Sequence, residues 1–189
     1  AYHGQPKDFQ RLKSEIATYA TGSYAPQLGS YLSRQGFDVE ITSLHPKLFT
    51  RNDIGASQDE ILQRFQFLAE KEKIDQNKLV INHFIDFMKT GGIMTPKIPC
   101  LDDILQELKA NRPLGALMTT RFLTDTQPKF NFHFVVITGY EEGKVYVNDP
   151  MWDEAGGRQA HDVKEFFYGL YASAFGDLDN ACLIKVRPR

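Results

Sequence analysis

Apolar residues recur every three or four positions along much of the first 111 residues of the chain. This spacing places them on one face of a helix and predicts that this part is mainly helical. Pro26 and Gly36 fit the preference for proline just inside a helix start and glycine just past its end. Ser57 and Glu60 form a capping-box signature for a further helix that starts after Ser57. The other predicted helices cover residues 7–20, 26–36, 78–90 and 101–111.

Beyond Pro113 the helical spacing gives way mainly to predicted strands. Alternation of apolar residues with a period of two, as at Phe37, Val39 and Ile41, is typical of half-buried strands. The predicted strands cover residues 114–122, 133–140, 145–148 and 181–186, after an earlier short strand at residues 37–41. One predicted helix interrupts them at residues 162–174, with Asp162 as its N-cap. Helices first and hairpin-connected strands later predict an α+β fold, with N-terminal helices packed on one side of a C-terminal antiparallel sheet.

Two residues with catalytic potential lie at the ends of one predicted hairpin. His133 opens its first strand and Asp149 closes its second, with Glu-Glu-Gly at residues 141–143 between them. If these three residues form the loop, Asp149 lies opposite Val135 and becomes a diagonal neighbour of His133, roughly 7–8 Å away. A loop one residue tighter would turn the two side chains to opposite faces. Glycine as the third loop residue favours the first arrangement.

An imidazole beside a carboxylate is the base and its orienting partner in many nucleophilic active sites. Each residue also has an ordinary structural interpretation. His133 would then be a hydrogen-bonded histidine at a strand end, and Asp149 would start a turn before Pro150, since aspartate bonds readily to its own backbone. The sequence alone leaves both interpretations open.

Bulk composition excludes several functional classes. The 189 residues suit one domain, predicted to span residues 1–189, in which residues 44–100 form a helical insert, a lid or part of the scaffold. A net charge of −2 without a basic block argues against a nucleic-acid partner. No apolar run approaches the roughly 20 residues of a transmembrane segment. The chain lacks Cys/His metal spacing and a glycine-rich phosphate loop, so neither a metal nor a cofactor is expected.

The sequence constrains localisation only through its two cysteines, Cys100 and Cys182. So few cysteines favour the reducing cytoplasm. The chain starts without a methionine, so secretion stays open if an upstream signal was removed. Cys182 lies in an apolar segment and is interpreted as a small core residue.

The hairpin sequence resembles one enzyme family. Residues 133–140 read His-Phe-Val-Val-Ile-Thr-Gly-Tyr and residues 145–150 read Val-Tyr-Val-Asn-Asp-Pro. This pattern is similar to the papain-like cysteine peptidases of family thirty-nine, which include double-glycine leader peptidases and many stand-alone bacterial relatives. Residues 25–40 resemble the middle helix and strand of that family less sharply, and residues 101–115 resemble the helix and strand before its histidine.

The resemblance implies a papain-like fold and a thiol hydrolase that acts on a peptide or amide bond, or transfers the acyl group. It implies His133 as the general base, Asp149 as its orienting group, and a peptide or protein as substrate. Its nucleophile is a cysteine at the start of the central helix, usually in a Cys-Gly-Pro motif. That motif has no match here, and we expect the nucleophile upstream of residue 1. The alternative is a non-catalytic peptide-binding module on the same fold.

Three further residues are candidates for the site. Cys100 is an alternative nucleophile, because it lies at a predicted helix start, where the helix dipole favours a thiolate. Asp102 and Asp103 oppose that role, since nearby carboxylates disfavour a second negative charge. Phe132 and Trp152 flank the histidine and the aspartate in sequence and are predicted to form a wall of the site.

Overall fold

A computed structural model describes residues 8–19, 22–119, 131–151 and 156–189. Within these ranges the chain forms six α-helices and seven β-strands. The helices are α1 (Phe9–Glu15), α2 (Ala25–Arg34), α3 (Gln58–Lys71), α4 (Asp75–Lys89), α5 (Leu101–Lys109) and α6 (Val163–Ala172). The strands are β1 (Phe37–Ser43), β2 (Ile93–Pro96), β3 (Leu114–Met118), β4 (His133–Glu141), β5 (Lys144–Asp149), β6 (Gly157–Asp162) and β7 (Cys182–Pro188).

All seven strands form one sheet in the order β2-β1-β7-β3-β4-β5-β6. The α+β prediction is confirmed. The sheet is mixed rather than wholly antiparallel, because β1 and β2 run parallel. The sequence pattern missed β2 and β6, which are the two edge strands. β6 reads Gly-Arg-Gln-Ala-His-Asp and has one buried side chain, so it lacks the apolar alternation that reveals a strand.

Helices cover both faces of the sheet, whereas the sequence pattern predicted one. Central strands bury side chains that point in both directions: in β3, Leu117 joins one apolar core while Ala116 and Met118 join the other. Helices α2, α3 and α4 pack in the first core, and α5 and α6 pack in the second. A strand that is buried on both faces cannot show the simple alternation of a half-buried strand.

The helix starts follow their sequence signals. The capping box at Ser57 is confirmed, since its side-chain oxygen accepts from the backbone N–H of Glu60, and Glu60 Oε2 accepts from the Ser57 backbone at 2.8 Å. Pro26 lies in the first turn of α2, as predicted. Helix α1 is shorter than predicted, because the backbone leaves the helical conformation at Ile16.

Residues 44–100 contribute directly to the first core. The rings of Phe65 in α3 and Phe84 in α4 stack with their centroids 5.0 Å apart. Phe87 in α4 is fully buried against α2, and β2 extends the sheet beside β1. These contacts fix the position of α2, and the residues just before α2 border the site.

Candidate active site

The hairpin that carries the histidine and the carboxylate closes with a two-residue turn. Glu141 pairs with Lys144, so only Glu142 and Gly143 form the turn. Their φ angles are 47° and 78°, as the left-handed positions of a tight hairpin turn require. The predicted three-residue loop is therefore wrong by one residue. By itself this tighter turn would separate the two side chains.

A β-bulge restores the predicted relation of the two residues. The pairing shifts by one residue between Ile137 and Gly139, and beyond the shift Val136 lies opposite Asn148. The tighter turn alone would place the two side chains on opposite faces of the hairpin. The extra residue on one strand returns them to the same face. His133 and Asp149 consequently lie on the same face of the hairpin, and their side chains meet.

The His133–Asp149 contact is short and shielded from solvent. His133 Nε2 lies 2.8 Å from Asp149 Oδ1 and 2.9 Å from Oδ2. The side chain of Asp149 is 0% exposed and that of His133 is 16% exposed. An ionised carboxylate only accepts hydrogen bonds, so it holds the imidazole in the form that carries hydrogen on Nε2. This tautomer makes Nδ1 the basic nitrogen.

Further contacts hold Asp149 in place. Its Oδ1 also accepts a hydrogen bond of 2.9 Å from the backbone N–H of Met151. His161 on the neighbouring strand β6 is buried, and burial lowers its pKa because the imidazolium form loses its hydration. The negative charges of Glu165 and Asp149 act in the opposite direction on that pKa. The hydrogen bonds to His133 and to the Met151 backbone thus hold the carboxylate in place, as an orienting group requires.

His133 lines a cleft of about 110 Å³, which we call the histidine cleft. The start of β4, the residues just before α2, and the loop that precedes β7 form its walls. The side chains discussed below belong to Ser23, Tyr24, Phe132, Phe134, Asp177, Asp179 and Asn180. Asp179 ties two of these walls together, because its Oδ2 accepts a 2.6 Å hydrogen bond from the backbone N–H of Ala25 in the first turn of α2.

Asp179 is the most perturbed acid of the cleft. Burial raises its pKa to about 7, and the charge of Asp177 acts in the same direction. The hydrogen bond from Ala25 favours the ionised form and opposes the shift. At neutral pH this carboxyl therefore exchanges between its charged and uncharged forms inside the cleft.

We expect Asp179→Asn to lose less stability than the wild type as the pH rises from about 4 to about 7. A raised folded-state pKa contributes stability that is complete below the unfolded value, 3.8, and is lost as the pH passes the folded value. The difference between the folded and unfolded pKa values corresponds to up to about 4 kcal/mol of the free energy of unfolding. Asparagine keeps an oxygen that accepts from Ala25 but does not titrate. Urea unfolding from pH 4 to pH 8 measures this; identical pH slopes for both proteins would contradict it.

The structure places the other predicted site residues as follows. Phe132 lines the histidine cleft, so it forms part of a wall beside His133. Trp152 lies outside the described residues. Cys100 is the N-cap of α5, where its Sγ donates to Asp103 Oδ2 at 3.2 Å. Cys182 is buried in β7, and burial raises the pKa of its thiol. Neither cysteine lines the histidine cleft.

Sequence reasoning did not single out most residues of the cleft, among them its two residues before α2 and the polar residues of the loop before β7. Ser23 and Tyr24 precede α2, and the start predicted from Pro26 was the available signal for them. The loop residues Asp177, Asp179 and Asn180 carry no recognisable motif. Only the packing of their loop against α2 and β4 brings them to the site.

A comparison with known families identifies the relationship. The model of the Peptidase C39 like family matches residues 70–176, more than half of the chain, and this range includes both His133 and Asp149. This chain belongs to the Peptidase C39 like family. The resemblance drawn from the hairpin is confirmed, and so is the papain-like α+β fold. No curated protein and no solved structure matches the chain.

Membership in the Peptidase C39 like family supports a peptidase-like function. Two further observations concern metal binding and membrane insertion. Within the described ranges, no group of three His, Cys, Asp or Glu side chains is arranged to hold a metal ion. No helix in the same ranges combines the length and apolar character needed to cross a membrane.

Proposed function

We propose that this protein binds a peptide segment in the histidine cleft and that this chain by itself does not cleave it. One observation carries the proposal. In the described part of the chain, the helix start that borders His133 is that of α2, and neither residue before it, Ser23 or Tyr24, is a cysteine. The cleft therefore offers a peptidase-like binding site without a thiol beside its base.

The two residues just before α2 have structural contacts. Residues 23–26 read Ser-Tyr-Ala-Pro, so they do not supply the Cys-Gly-Pro motif. The Tyr24 ring is buried, its hydroxyl bonds to Gln76 of α4, and its centroid lies 5.7 Å from that of His83. Ser23 Oγ donates to the carbonyl of Ala17 at 3.3 Å. These contacts give both side chains structural roles.

Capture of peptides from a random-sequence library by the full natural polypeptide tests the proposal. We expect the recovered peptides to be intact by mass spectrometry. Ser23→Trp should abolish capture, because an indole would fill a cleft of about 110 Å³. Ser14→Trp on the exposed side of α1 is the matched control and should bind normally. Capture that is unchanged by Ser23→Trp would show that peptides bind elsewhere.

The His133–Asp149 contact favours a second candidate, hydrolysis of a peptide or amide bond by a thiol that neither Cys100 nor Cys182 supplies. The thiolate would attack the carbonyl carbon and form a carbon–sulfur bond. The carbon–nitrogen bond then breaks as protonated His133 gives the Nδ1 proton to the leaving amine, while Asp149 holds Nε2–H. Water would hydrolyse the thioester and regenerate the thiol. Asp149 is thus a positioning residue for His133.

The same library assay separates the two candidates. If the full natural polypeptide releases shortened peptides, we expect His133→Ala to lower that turnover at least about 100-fold, as loss of a general base does. Asp149→Asn should lower kcat with little change in KM, since it disturbs the imidazole rather than the bound peptide. Wild-type turnover in His133→Ala would exclude the histidine from the chemistry. Sustained capture without any cleavage would support the binding module.

A further inference from the structure

We infer that the histidine cleft selects a positively charged group of its peptide ligand, the end of a lysine or arginine side chain or a free amino terminus. The inference rests on the proposed function and adds the chemistry of the ligand. It follows from three features of the cleft: a buried acceptor without a donor, two carboxyl groups that form no ion pair in the described part of the chain, and aromatic walls.

Asn180 supplies the buried acceptor. Its side chain is fully buried, and its Nδ2 donates to the carbonyl of Ser173 at 2.9 Å. This bond fixes which way the amide points, because only the nitrogen can donate to a carbonyl. Among the residues that the structure describes, Asn180 Oδ1 has no hydrogen-bond partner. A buried acceptor without a donor is costly, so a ligand N–H that reaches it would be favoured.

The two carboxyl groups of the cleft lack a direct counter-charge. Neither Asp177 nor Asp179 forms an ion pair with a lysine or arginine in the described part of the chain. Burial raises the pKa of Asp177, and the charge of Lys47 only opposes that rise. A cation bound between the two carboxyl groups would favour their ionised forms.

The walls suit a cation better than an anion or a neutral polar group. Tyr24, Phe132 and Phe134 line the same cleft as the carboxyl groups. The faces of aromatic rings attract ammonium and guanidinium groups, most strongly where water is excluded. A volume of about 110 Å³ admits the end of a side chain, since one water takes about 30 Å³ of liquid. A bulky apolar side chain would desolvate both carboxyl groups and would leave Asn180 Oδ1 without a donor.

Peptides that differ at one position test the inference. One acetylated peptide recovered by capture is made with lysine, arginine, norleucine or citrulline at each position in turn, and once with a free amino terminus. We expect at least about tenfold tighter binding of the cationic peptide than of its neutral counterpart at one position. The lysine and arginine series report a side chain, whereas the free amino terminus reports a chain end. The side-chain amide signal of Asn180 should shift on binding of the cationic peptide.

Charge-neutral variants assign that preference to the cleft. Asp177→Asn and Asp179→Asn should each reduce the preference for the cationic peptide several-fold, with less effect on the norleucine peptide. Asp59→Asn on the exposed start of α3 is the matched control and should keep the full preference. Equal affinity for cationic and neutral peptides, with capture still blocked by Ser23→Trp, would overturn the inference and leave the proposed function standing. Failure of every peptide to bind would overturn both.

Discussion

Replacing Lys185 with alanine is expected to lower the free energy of unfolding by about 3–5 kcal/mol, because it leaves buried carboxylates without their cation. Lys185 is only 5% exposed. Its Nζ lies 3.1 Å from Asp103 Oδ1 and 3.2 Å from Glu40 Oε1. The ion pairs join β7 to α5 and to β1 in the centre of the molecule. Two carboxylates that were taken out of water on folding would then lose the buried cation that they share.

The cations that remain beside each carboxylate limit the loss of stability in Lys185→Ala. Arg187 bonds to both Glu40 and Glu107, so Glu40 keeps one cation in the variant. Asp103 keeps Lys97, which lies 3.0 Å away but is 44% exposed. Burial alone would raise the pKa of Asp103, but hydrogen bonds from Lys97, from Cys100 and from Lys185 lower it to about 2. We therefore expect the loss to come mainly from Asp103.

Urea unfolding of three variants separates charge from volume. Lys185→Met keeps most of the aliphatic length, so a loss similar to that of Lys185→Ala would assign the effect to charge. Lys97→Ala removes a partly exposed partner of the same Asp103 and should cost no more than about 1 kcal/mol. If Lys97→Ala and Lys185→Ala destabilise the protein equally, burial of the ion pair is not the source of its strength.

The pH dependence gives an independent check on the same cluster. A lowered folded-state pKa contributes stability above the unfolded value, 3.8, which is lost as the pH falls through the folded value of about 2. In Lys185→Ala the pKa of Asp103 should lie closer to 3.8. The variant should then lose less stability than the wild type between pH 4 and pH 2.

The same cluster illustrates what the sequence could and could not predict. The apolar segment that contains Cys182 was predicted to be a strand at residues 181–186, so Lys185 was expected in a strand. Its burial was not predictable, because lysine is rarely buried unless it is paired, and its partners lie 82 and 145 positions away. Cys100, considered as a nucleophile from its place at a helix start, is the N-cap of α5 beside this cluster. Local pattern revealed the element, and only tertiary packing revealed its role.

The site shows the same division between local pattern and packing. The residue types of the hairpin predicted that His133 and Asp149 would meet, and they do. The hairpin geometry differs from the predicted one, because the turn is one residue tighter and a bulge at Thr138 returns the two side chains to the same face. A bulge residue such as threonine looks like any other strand residue in a sequence. The loop of Asp179 and Asn180 could not be placed beside His133 at all, since no short-range signal links it to β4.

The position of α2 against the cleft depends on Phe87, and Phe87→Ala is expected to lower the free energy of unfolding by about 3–5 kcal/mol. The ring is fully buried and fills the space that two glycines leave open. A β-carbon on Gly29 of α2 would lie 2.7 Å from the ring, and one on Gly92 would lie closer still. Truncation would therefore leave a cavity between α2 and α4.

Gly29→Ala tests the same contact from the opposite side. Alanine favours a helix over glycine by about 1 kcal/mol, whereas overpacking a well-filled core costs about 1–3 kcal/mol. The clash should prevail, so we expect net destabilisation. Adding Phe87→Leu, which shortens the side chain at the clash, should recover part of it. A stabilised Gly29→Ala would mean that α2 can move away from Phe87 at little cost.

The control for the truncation is Phe175→Ala, which removes a ring that is 89% exposed and should change stability by no more than about 0.5 kcal/mol. Equal effects of the two truncations would contradict the proposed role of Phe87. The two buried-core variants also connect stability with function. Phe87 holds the helix whose first turn donates to Asp179, so a displaced α2 should weaken capture of cationic peptides even where the protein remains folded. Weakened capture by folded Phe87→Ala, with normal capture by Phe175→Ala, would show that this packing between α2 and α4 sets the geometry of the histidine cleft.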